Sequence, residues 1–581
     1  MKNVFRMMEQ KQKPTYMEWI WIASLFFVSL LLYCSSDLCV TSAHGVYLWD
    51  SLFNGNFTKL YTDYYNNPNT ITAMYDVLLY IVFAIWNLPI YILYKFGIVF
   101  LDNLTTLKIW AMLWNKGLII LFLYLFLYYL DKIAKEFLVD EVGRTWLKYS
   151  ALSSFIVIWP AMIMGQYDII PVVFTLAGLL AYLRNDYKKF LAAFIVAVGM
   201  KFFAIFVFVP LVLMKEKNVF KIFGNCIAVF IFPLITRILF RGDDAYAFSK
   251  AFSKQKMTLL FEKTFPGNFQ EFYIIVFLFI GVYIFAYMVK MENSKVFSVY
   301  ISLAAFSILF SFTNFGTYWI IMIVPYMLLL LFVNAKDRDT FRINILLIAL
   351  FEFSMFVLNL YYHHDNLDSA LLERGIFSKI LRGKNPNFSF YDILENLGYQ
   401  WLMPCMVALF IVCLLAYLII NFPYGNKYKK KETFAIPIYD RMIMGLRSFV
   451  ILFFICFSLL AYIAPVKYKF NFMQMSCLGE NSQTIQGAEL DNGAILFGPY
   501  CKLEPGTYKV RITGENLNAE GIDYYISYDN GEKNIPLEDI VKEDGYVEYK
   551  FTLPERVEDI EFKINAGSKF IFRELEVSTN S

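Results

Sequence analysis

The chain contains 581 residues, of which 58% are hydrophobic, 19% aromatic and only 17% charged. This composition is too apolar for a soluble multidomain protein and indicates that a lipid bilayer solvates most of the chain. The 52 basic and 49 acidic residues leave a net charge of +3, which gives no reason to expect a nucleic-acid partner. The eight cysteines form no C-x-x-C pair, which argues against a thiolate metal site.

Apolar stretches, each near the roughly 20 residues that cross a bilayer as a helix, recur as far as residue 464 and predict a polytopic α-helical membrane protein with about 11–13 helical segments. They lie at 17–33, 77–97, 109–130, 146–165, 168–183, 190–214, 219–240, 272–290, 296–312, 317–333, 341–360, 402–422 and 446–464. The first follows a basic segment at 1–16 and shows no small-x-small cleavage pattern, so we interpret it as an uncleaved signal anchor.

The positions of Lys and Arg predict the orientation, because short basic connections stay on the cytoplasmic side. The basic N-terminus, Lys290 with Lys295, Lys336 with Arg338, and the lysine-rich run 427–431 belong inside by this rule. The connections at 34–108, 241–271 and 361–401 and everything from residue 465 onward then lie outside. The sequence thus predicts a multi-pass protein of the cell membrane, with a cytoplasmic N-terminus and an extracytoplasmic C-terminal domain.

Two apolar stretches, 77–97 and 190–214, are predicted to make no net crossing. If both crossed, seven basic residues would face outward against the bias seen elsewhere: Lys132, Lys135, Arg144, Lys148, Arg184, Lys188 and Lys189. Each stretch carries a proline, and the second has Lys201 at its centre, where a free ammonium in lipid costs several kcal/mol. We therefore predict an interfacial or re-entrant helix and a pair of half-helices, which places Asp37, Asp50, Asp76 and Asp168 on one outer face.

The pattern changes after Pro465 to short alternating runs separated by Gly- and Asn-containing turns, which predicts an all-β sandwich over 465–581. The string Gly498–Val510 resembles a stretch of carbohydrate-binding jelly-roll domains. Tyr524, Tyr525 and Tyr528 are interpreted either as a sugar platform or, with more weight, as core and edge packing. Cys477 and Cys501 are the domain's only cysteines, and the sequence leaves open whether they form a disulfide.

Two acidic residues at the outer ends of apolar stretches are candidates for chemistry. Asp37 follows the first stretch directly, and Asp168 ends the string Met-Gly-Gln-Tyr-Asp at 164–168. Converging carboxylates can bind a divalent cation such as Mg²⁺ or Mn²⁺, or one can deprotonate a hydroxyl that the other orients. For Asp50, Asp63 and Asp76, taken singly, solvation at the membrane surface is the simpler interpretation.

These residues in this order resemble the GT-C superfamily of membrane glycosyltransferases, with the bacterial set similar to GPI mannosyltransferases the nearest in character. The resemblance covers about the first 215 residues and rests on Asp37, the first-loop stretch YLWDSLFNGNFTKLYTDYYN, the Asn87-Leu88-Pro89 segment, the string GQYD at 165–168, and Lys201 before the apolar run to Pro210. It implies a GT-C-like bundle, an interfacial helix in the first loop, Asp37 as catalytic base, and Asp168 as a metal-binding or site-shaping acid. Many members carry a paired acidic motif in the first loop, whereas Ser36 and Leu38 flank Asp37 here.

The resemblance implies transfer of a hexosyl, mannosyl-like group from a polyprenyl-phosphate donor to a glycan or lipid acceptor on the outer face, with inversion at the anomeric carbon. Lys201, Arg237 and Arg241 are candidates for the donor phosphate, although each of them is also explained by ordinary snorkelling. Gln166, His363, His364 and Arg374 are candidates for donor or acceptor contacts. Zinc at the two histidines is not favoured, because spacing places no third ligand.

The sequence leaves three other interpretations of the function open. A polysaccharide polymerase or ligase would share the lipid-linked donor and the large outer loop. A lipid-linked saccharide transporter would also be polytopic, but no internal repeat is visible. A surface-glycan binder would leave so large a membrane domain unexplained.

Overall fold

The computed structural model describes residues 13–32, 36–67, 70, 73–101, 108–258, 261–268, 270–334, 337–362, 390, 394, 397–423, 436–463, 467–484, 487–529 and 531–579. It divides into two compact units. Among the described residues, unit 1 comprises those from 13 to 362 and from 399 to 453, and unit 2 comprises 390, 394, 397, 398 and those from 454 to 579.

Unit 1 is helical, and each of the predicted apolar stretches contains at least part of a helix. The helices are α1 Tyr16–Leu31, α2 Ser36–Phe53, α3 Leu60–Asn66, α4 Val77–Trp86, α5 Leu88–Lys95, α6 Ile109–Glu136, α7 Glu141–Leu152, α8 Phe155–Ile158, α9 Ile169–Leu183, α10 Tyr187–Met200, α11 Ile205–Lys215, α12 Val219–Ala228, α13 Ile231–Leu239, α14 Asp244–Thr258, α15 Ile274–Met288, α16 Ser294–Phe312, α17 Val324–Val333, α18 Arg338–Tyr362, α19 Leu402–Ile420, α20 Ile438–Leu446 and α21 Phe449–Ile463, the last of which continues into unit 2. A short hairpin, β1 Thr264–Phe265 with β2 Phe272–Tyr273, precedes α15.

Three of the described helices are individually long and apolar enough to cross a bilayer, namely α6, α18 and α19. Three bent pairs raise the number of candidate spans to six if each pair is one span. One of them is α4 with α5, which meet at 66° beside Asn87 and Pro89. Such a bend fits a broken span as well as a re-entrant segment, so the interfacial or re-entrant helix at 77–97 stays a prediction.

Ion pairs and hydrogen bonds gather basic residues at one end of the helical unit, here called the basic pole. The contacts are Lys13 with Glu141, Glu18 with Arg441, Asp131 with Arg144 and Lys148, Glu136 with Arg184, Asn185 with Lys215, and Arg342 with Asp440. They join the N-terminal segment to the turns α6–α7 and α9–α10, where most of the seven basic residues discussed above lie. By the positive-inside rule this pole is expected to face the cytoplasm.

Helices α9, α10 and α11 run back and forth between the basic pole and the level of Lys201. At the α9–α10 turn, Lys215 at the end of α11 hydrogen-bonds to Asn185 at 2.6 Å. At the other end, Lys201 between α10 and α11 contacts Asp168 before α9. The chain therefore runs away from the basic pole along α10 and back towards it along α11. That these two helices are half-helices within a membrane stays a prediction.

The segment predicted as the first outer loop contains α2 to α5, which close packing and polar contacts hold together. Gly45 allows α2 to lie directly on α4, because a Cβ at this position would come within 2.6 Å of the Phe83 backbone. Asp243 accepts hydrogen bonds from the Tyr61 and Thr62 amides at 3.0 and 3.2 Å and from the Thr62 hydroxyl at 2.7 Å. This carboxylate caps the first turn of α3.

The other first-loop acids also have structural partners. Asp50 pairs with Lys95, Asp63 accepts from Ser51 at 2.6 Å, and Asp76 pairs with Lys250 at 2.6 Å. The ion pairs of Asp50 and Asp76 thus stabilise the packing of this segment.

Unit 2 contains two antiparallel sheets. Its strands are β3 Lys467–Asn471, β4 Ser476–Leu478, β5 Asn481–Thr484, β6 Gly487–Leu490, β7 Ile495–Leu503, β8 Gly506–Glu515, β9 Ile522–Tyr528, β10 Lys533–Ile535, β11 Glu538–Glu543, β12 Tyr546–Leu553, β13 Val557–Ala566 and β14 Phe570–Thr579. One sheet has the order β10-β9-β13-β7-β4 and the other β11-β12-β8-β14-β6-β5, with β3 on β14. A single core takes Leu496 and Phe562 from the first sheet and Val510 and Leu575 from the second. The predicted fold class, a helical membrane-type bundle followed by an all-β sandwich, is confirmed.

Two details of the sandwich settle points that the sequence left open. Tyr524 is a core residue, 7% exposed, whose hydroxyl donates to the Leu517 carbonyl, whereas Tyr525 is 42% exposed.

Cys477 and Cys501 are both free thiols. The sheet register places Cys477 opposite Leu496, five positions along β7 from Cys501, or roughly 16 Å, which is too far for a disulfide.

Candidate functional site

Asp37 lies at the end of the helical unit opposite the basic pole, in the first turn of α2. The half-buried carboxylate accepts a hydrogen bond from the side-chain amide of Gln166, 3.2 Å from Nε2 to Oδ2. The positive end of the α2 dipole favours a carboxylate at this position. The contact joins the two sequence features, Asp37 and GQYD, in one site.

The GQYD string is a tight turn between two helical segments. A π-helical turn over Trp159–Ile163 ends just before it, and Gly165 has φ +67°, a left-handed conformation that glycine adopts without strain. The backbone N–H of Gln166 then donates to the Pro160 carbonyl at 2.8 Å. This turn directs Gln166 towards Asp37 and leaves Asp168 at the N-terminus of α9.

Lys201 occupies the break between α10 and α11, where its backbone is extended (φ −148°, ψ 116°). Its ammonium lies 2.5 Å from Asp168 Oδ1 and 4.6 Å from the centre of the Trp319 ring. Both charged groups are almost fully buried, with Asp168 1% and Lys201 9% exposed. The pair therefore supplies the partner that a lysine inside an apolar helix bundle requires.

Three tyrosines surround the two carboxylates. The rings of Tyr75 and Tyr167 meet edge to face, with their centres 5.6 Å apart. Burial of its hydroxyl, together with the charges of Asp168 and Asp37, raises the pKa of Tyr75 well above the ordinary tyrosine value. Tyr318 also lies near the carboxylates of Asp37 and Asp168. The site is thus lined with hydroxyl groups that are protonated at neutral pH.

A narrow pocket opens beside Lys201. Its lining is mostly apolar and consists of Pro171, Val172, Thr175, Lys201, Ala204, Phe306, Met322 and Tyr326. Its free volume is only about 10 Å³, roughly the space for one water molecule, so it holds no hydrocarbon chain as it stands.

The other predicted site residues lie elsewhere. Arg237 and Arg241 are exposed near the end of α13, and no described contact joins either of them to Asp37, Asp168 or Lys201. His363, His364 and Arg374 lie outside the described residues. Sequence reasoning missed Tyr75, Tyr318 and Trp319.

The described residues do not offer a divalent cation a ready site. Asp37, Asp168 and the Gln166 carbonyl are oxygen donors of the right type, but the Lys201 ammonium already lies against Asp168. Among the described residues, no group of three or more His, Cys, Asp or Glu side chains could hold a metal ion.

No protein-family model matches the chain, and no curated protein matches it. Among solved structures, the chain is similar to the arabinosyltransferase EmbB of Mycobacterium smegmatis, determined by single-particle cryo-EM, with 10% identity and a TM-score of 0.37. The similarity covers 98% of this chain and 64% of that one, so this chain spans less than two thirds of the length of EmbB. A TM-score this low does not establish a common fold, and the function proposed for this chain rests on its own residues.

Proposed function

We propose that this chain is a membrane glycosyltransferase of the GT-C type, which transfers a sugar from a polyprenyl-phosphate donor to a glycan or lipid acceptor at the outer face of the cell membrane. One observation carries the proposal: a carboxylate held by an amide, Asp37 with Gln166, shares a site with a buried ammonium, Lys201 on Asp168. Glycosyl transfer from a phosphate donor needs a base for the acceptor and a cation for the leaving group.

The proposed step is a single displacement. The acceptor hydroxyl oxygen attacks the anomeric carbon while its proton passes to Asp37. The bond between the anomeric carbon and the phosphate oxygen breaks, and its electron pair leaves with the phosphate. Lys201 balances the charge that develops on that oxygen, and Asp168 holds Lys201 in place until the donor phosphate competes for it. One displacement inverts the anomeric configuration.

The lipid-linked form of the donor is part of the proposal on the sequence resemblance, and the Lys201 ammonium is its proposed phosphate partner. A mannosyl-like sugar remains part of the proposal on the sequence resemblance alone. For the β-sandwich we propose an accessory role towards the acceptor glycan, with Tyr525 as the exposed aromatic residue.

The proposal can be tested with the full-length protein in lipid nanodiscs. Three reactions are compared: transfer from a radiolabelled polyprenyl-phosphate hexose, polymerisation of a polyprenyl-diphosphate oligosaccharide, and movement of that oligosaccharide across a vesicle membrane. Transfer from the monophosphate donor supports the proposal. Polymerisation or translocation without monophosphate-dependent transfer would favour the polymerase or transporter instead.

The divalent-cation prediction is kept as a separate proposal, with Asp37 and Asp168 as its carboxylate ligands. Binding there would require the Lys201 ammonium to leave Asp168. Loss of transfer in EDTA and its recovery with Mg²⁺ or Mn²⁺ would support the cation, and an unchanged rate would refute it.

The proposed orientation has its own test, because the active face must lie opposite the basic pole. A cysteine at Lys188 should resist a membrane-impermeant thiol reagent applied to intact cells, whereas one at Lys254, on the exposed part of α14, should react. Rapid labelling at Lys188 would overturn the orientation.

A further inference from the structure

Lys116 is a wholly buried lysine that the proposed reaction does not use. It lies in α6 near the end that is remote from the basic pole, and it is 0% exposed. Its ammonium donates to three backbone carbonyls at the end of α1: Ser29 at 3.3 Å, Leu30 at 3.1 Å and Leu32 at 3.0 Å. A cation in an apolar helix is retained only where it has such partners.

The end of α1 needs these donors. The last carbonyls of a helix have no partner within the helix, and inside a membrane no water is available to replace one. Leu32 continues in an extended conformation (φ −77°, ψ −174°) instead of the left-handed turn that often closes a helix. Lys116 satisfies the carbonyls and places a positive charge at the negative end of the helix dipole.

The other end of α1 is also fixed. The Arg441 guanidinium donates to both oxygens of Glu18 at 3.1 and 2.7 Å, and Thr15 with Glu18 forms a capping box. With both ends of α1 held, the point at which the chain leaves it is set by Lys116. Asp37 follows Leu32 by only five residues, and residues 33–35 between them lie outside the described part of the chain.

We propose that Lys116 is a positioning residue for Asp37: by capping α1 it fixes the helix end that lies five residues before Asp37, and so helps to set the place from which the base reaches Gln166 and the acceptor. This inference rests on the proposed function for its kinetic consequence, although not for its geometry. A direct role in binding the donor phosphate does not fit, because the ammonium is fully buried and already contacts three carbonyls.

The kinetic test compares Lys116→Met and Lys116→Arg with the wild-type protein in nanodiscs. Misplacement of a reacting group by about 1 Å costs about 100-fold in rate, so Lys116→Met should lower kcat by about that factor while leaving the donor KM nearly unchanged. Lys116→Arg keeps the charge and the donors and should recover part of the loss. The matched control is Asn115→Ala, because this neighbour is also buried but its amide donates within its own helix to Ala111.

A second measurement does not depend on activity. The labelling rate of Asp37→Cys by an impermeant maleimide should change when Lys116→Met is added, whereas that of Lys254→Cys should not. Equal rates with and without Lys116→Met would overturn the inference, as would wild-type kcat in a folded Lys116→Met protein. A changed labelling rate would support the inference even if the wild-type protein transferred no sugar, and that lack of transfer by the wild-type protein would contradict the proposed function alone.

Discussion

The ammonium of Lys201 lies 2.5 Å from a carboxylate oxygen of Asp168, and this contact joins the C-terminal end of α10 to the N-terminal end of α9. Each charge lies at the helix end whose dipole favours it. The pair therefore holds α9 and α10 together. It also keeps the Lys201 ammonium in the site that contains Asp37.

Replacing Lys201 should separate these two roles. Lys201→Met leaves a buried carboxylate without its ion-pair partner, which we expect to destabilise the protein by about 3–5 kcal/mol and to abolish transfer. The double variant Lys201→Met with Asp168→Asn removes both charges, so its thermal stability should recover while transfer stays lost. Recovery of transfer in the double variant would show that Lys201 serves the fold and not the donor phosphate.

Tyr75 offers a test of the hydroxyl lining. Tyr75→Phe keeps the ring that packs on Tyr167 but removes the buried hydroxyl near Asp37 and Asp168. If that hydroxyl donates a hydrogen bond of about 1 kcal/mol during transfer, its loss should reduce transfer about fivefold. The control is Tyr64→Phe, because the Tyr64 hydroxyl is equally buried and donates at 2.7 Å to the His44 carbonyl. If both variants lose activity equally, Tyr75 acts only through the stability of the outer loop.

The geometry of the GQYD turn explains why this part of the site could be predicted from the sequence. Gly165, Gln166 and Asp168 are placed by the local conformation of one short turn, which depends on neighbouring residues in the sequence. Lys201 stands out in the sequence because a lysine in an apolar stretch needs a partner. The partner itself, Asp168, could not be deduced, since the contact depends on the return of α10 along α9.

No sequence pattern marks Tyr75, Tyr318 and Trp319 as site residues. They reach the site through the packing of an outer loop and of the turn before α17, and aromatic residues are too common in this chain to stand out. Lys116 did carry a signal, being a lysine in an apolar segment, but its carbonyl partners on α1 depend on tertiary packing. The fold class could be predicted because hydrophobic length and strand alternation are local properties.

The two β-domain thiols should differ sharply in reactivity. Burial raises the pKa of Cys501 to about 12, so its thiolate is scarce at pH 8, whereas Cys477 is only partly buried. Iodoacetamide at pH 8 should label Cys477 in the native protein and Cys501 only after unfolding, as read by peptide mass spectrometry. A disulfide-linked peptide containing both residues would contradict the free thiols.

The central claim is that Asp37 removes the acceptor proton, and one rate comparison tests it most directly. Asp37→Asn keeps the shape of the side chain and abolishes its basicity, while Asp63→Asn, in the same outer loop and bonded to Ser51, is the matched control. Transfer from a polyprenyl-phosphate hexose by folded protein in nanodiscs should fall about 100- to 10,000-fold for Asp37→Asn and stay near wild type for Asp63→Asn. Wild-type transfer by folded Asp37→Asn would contradict the account.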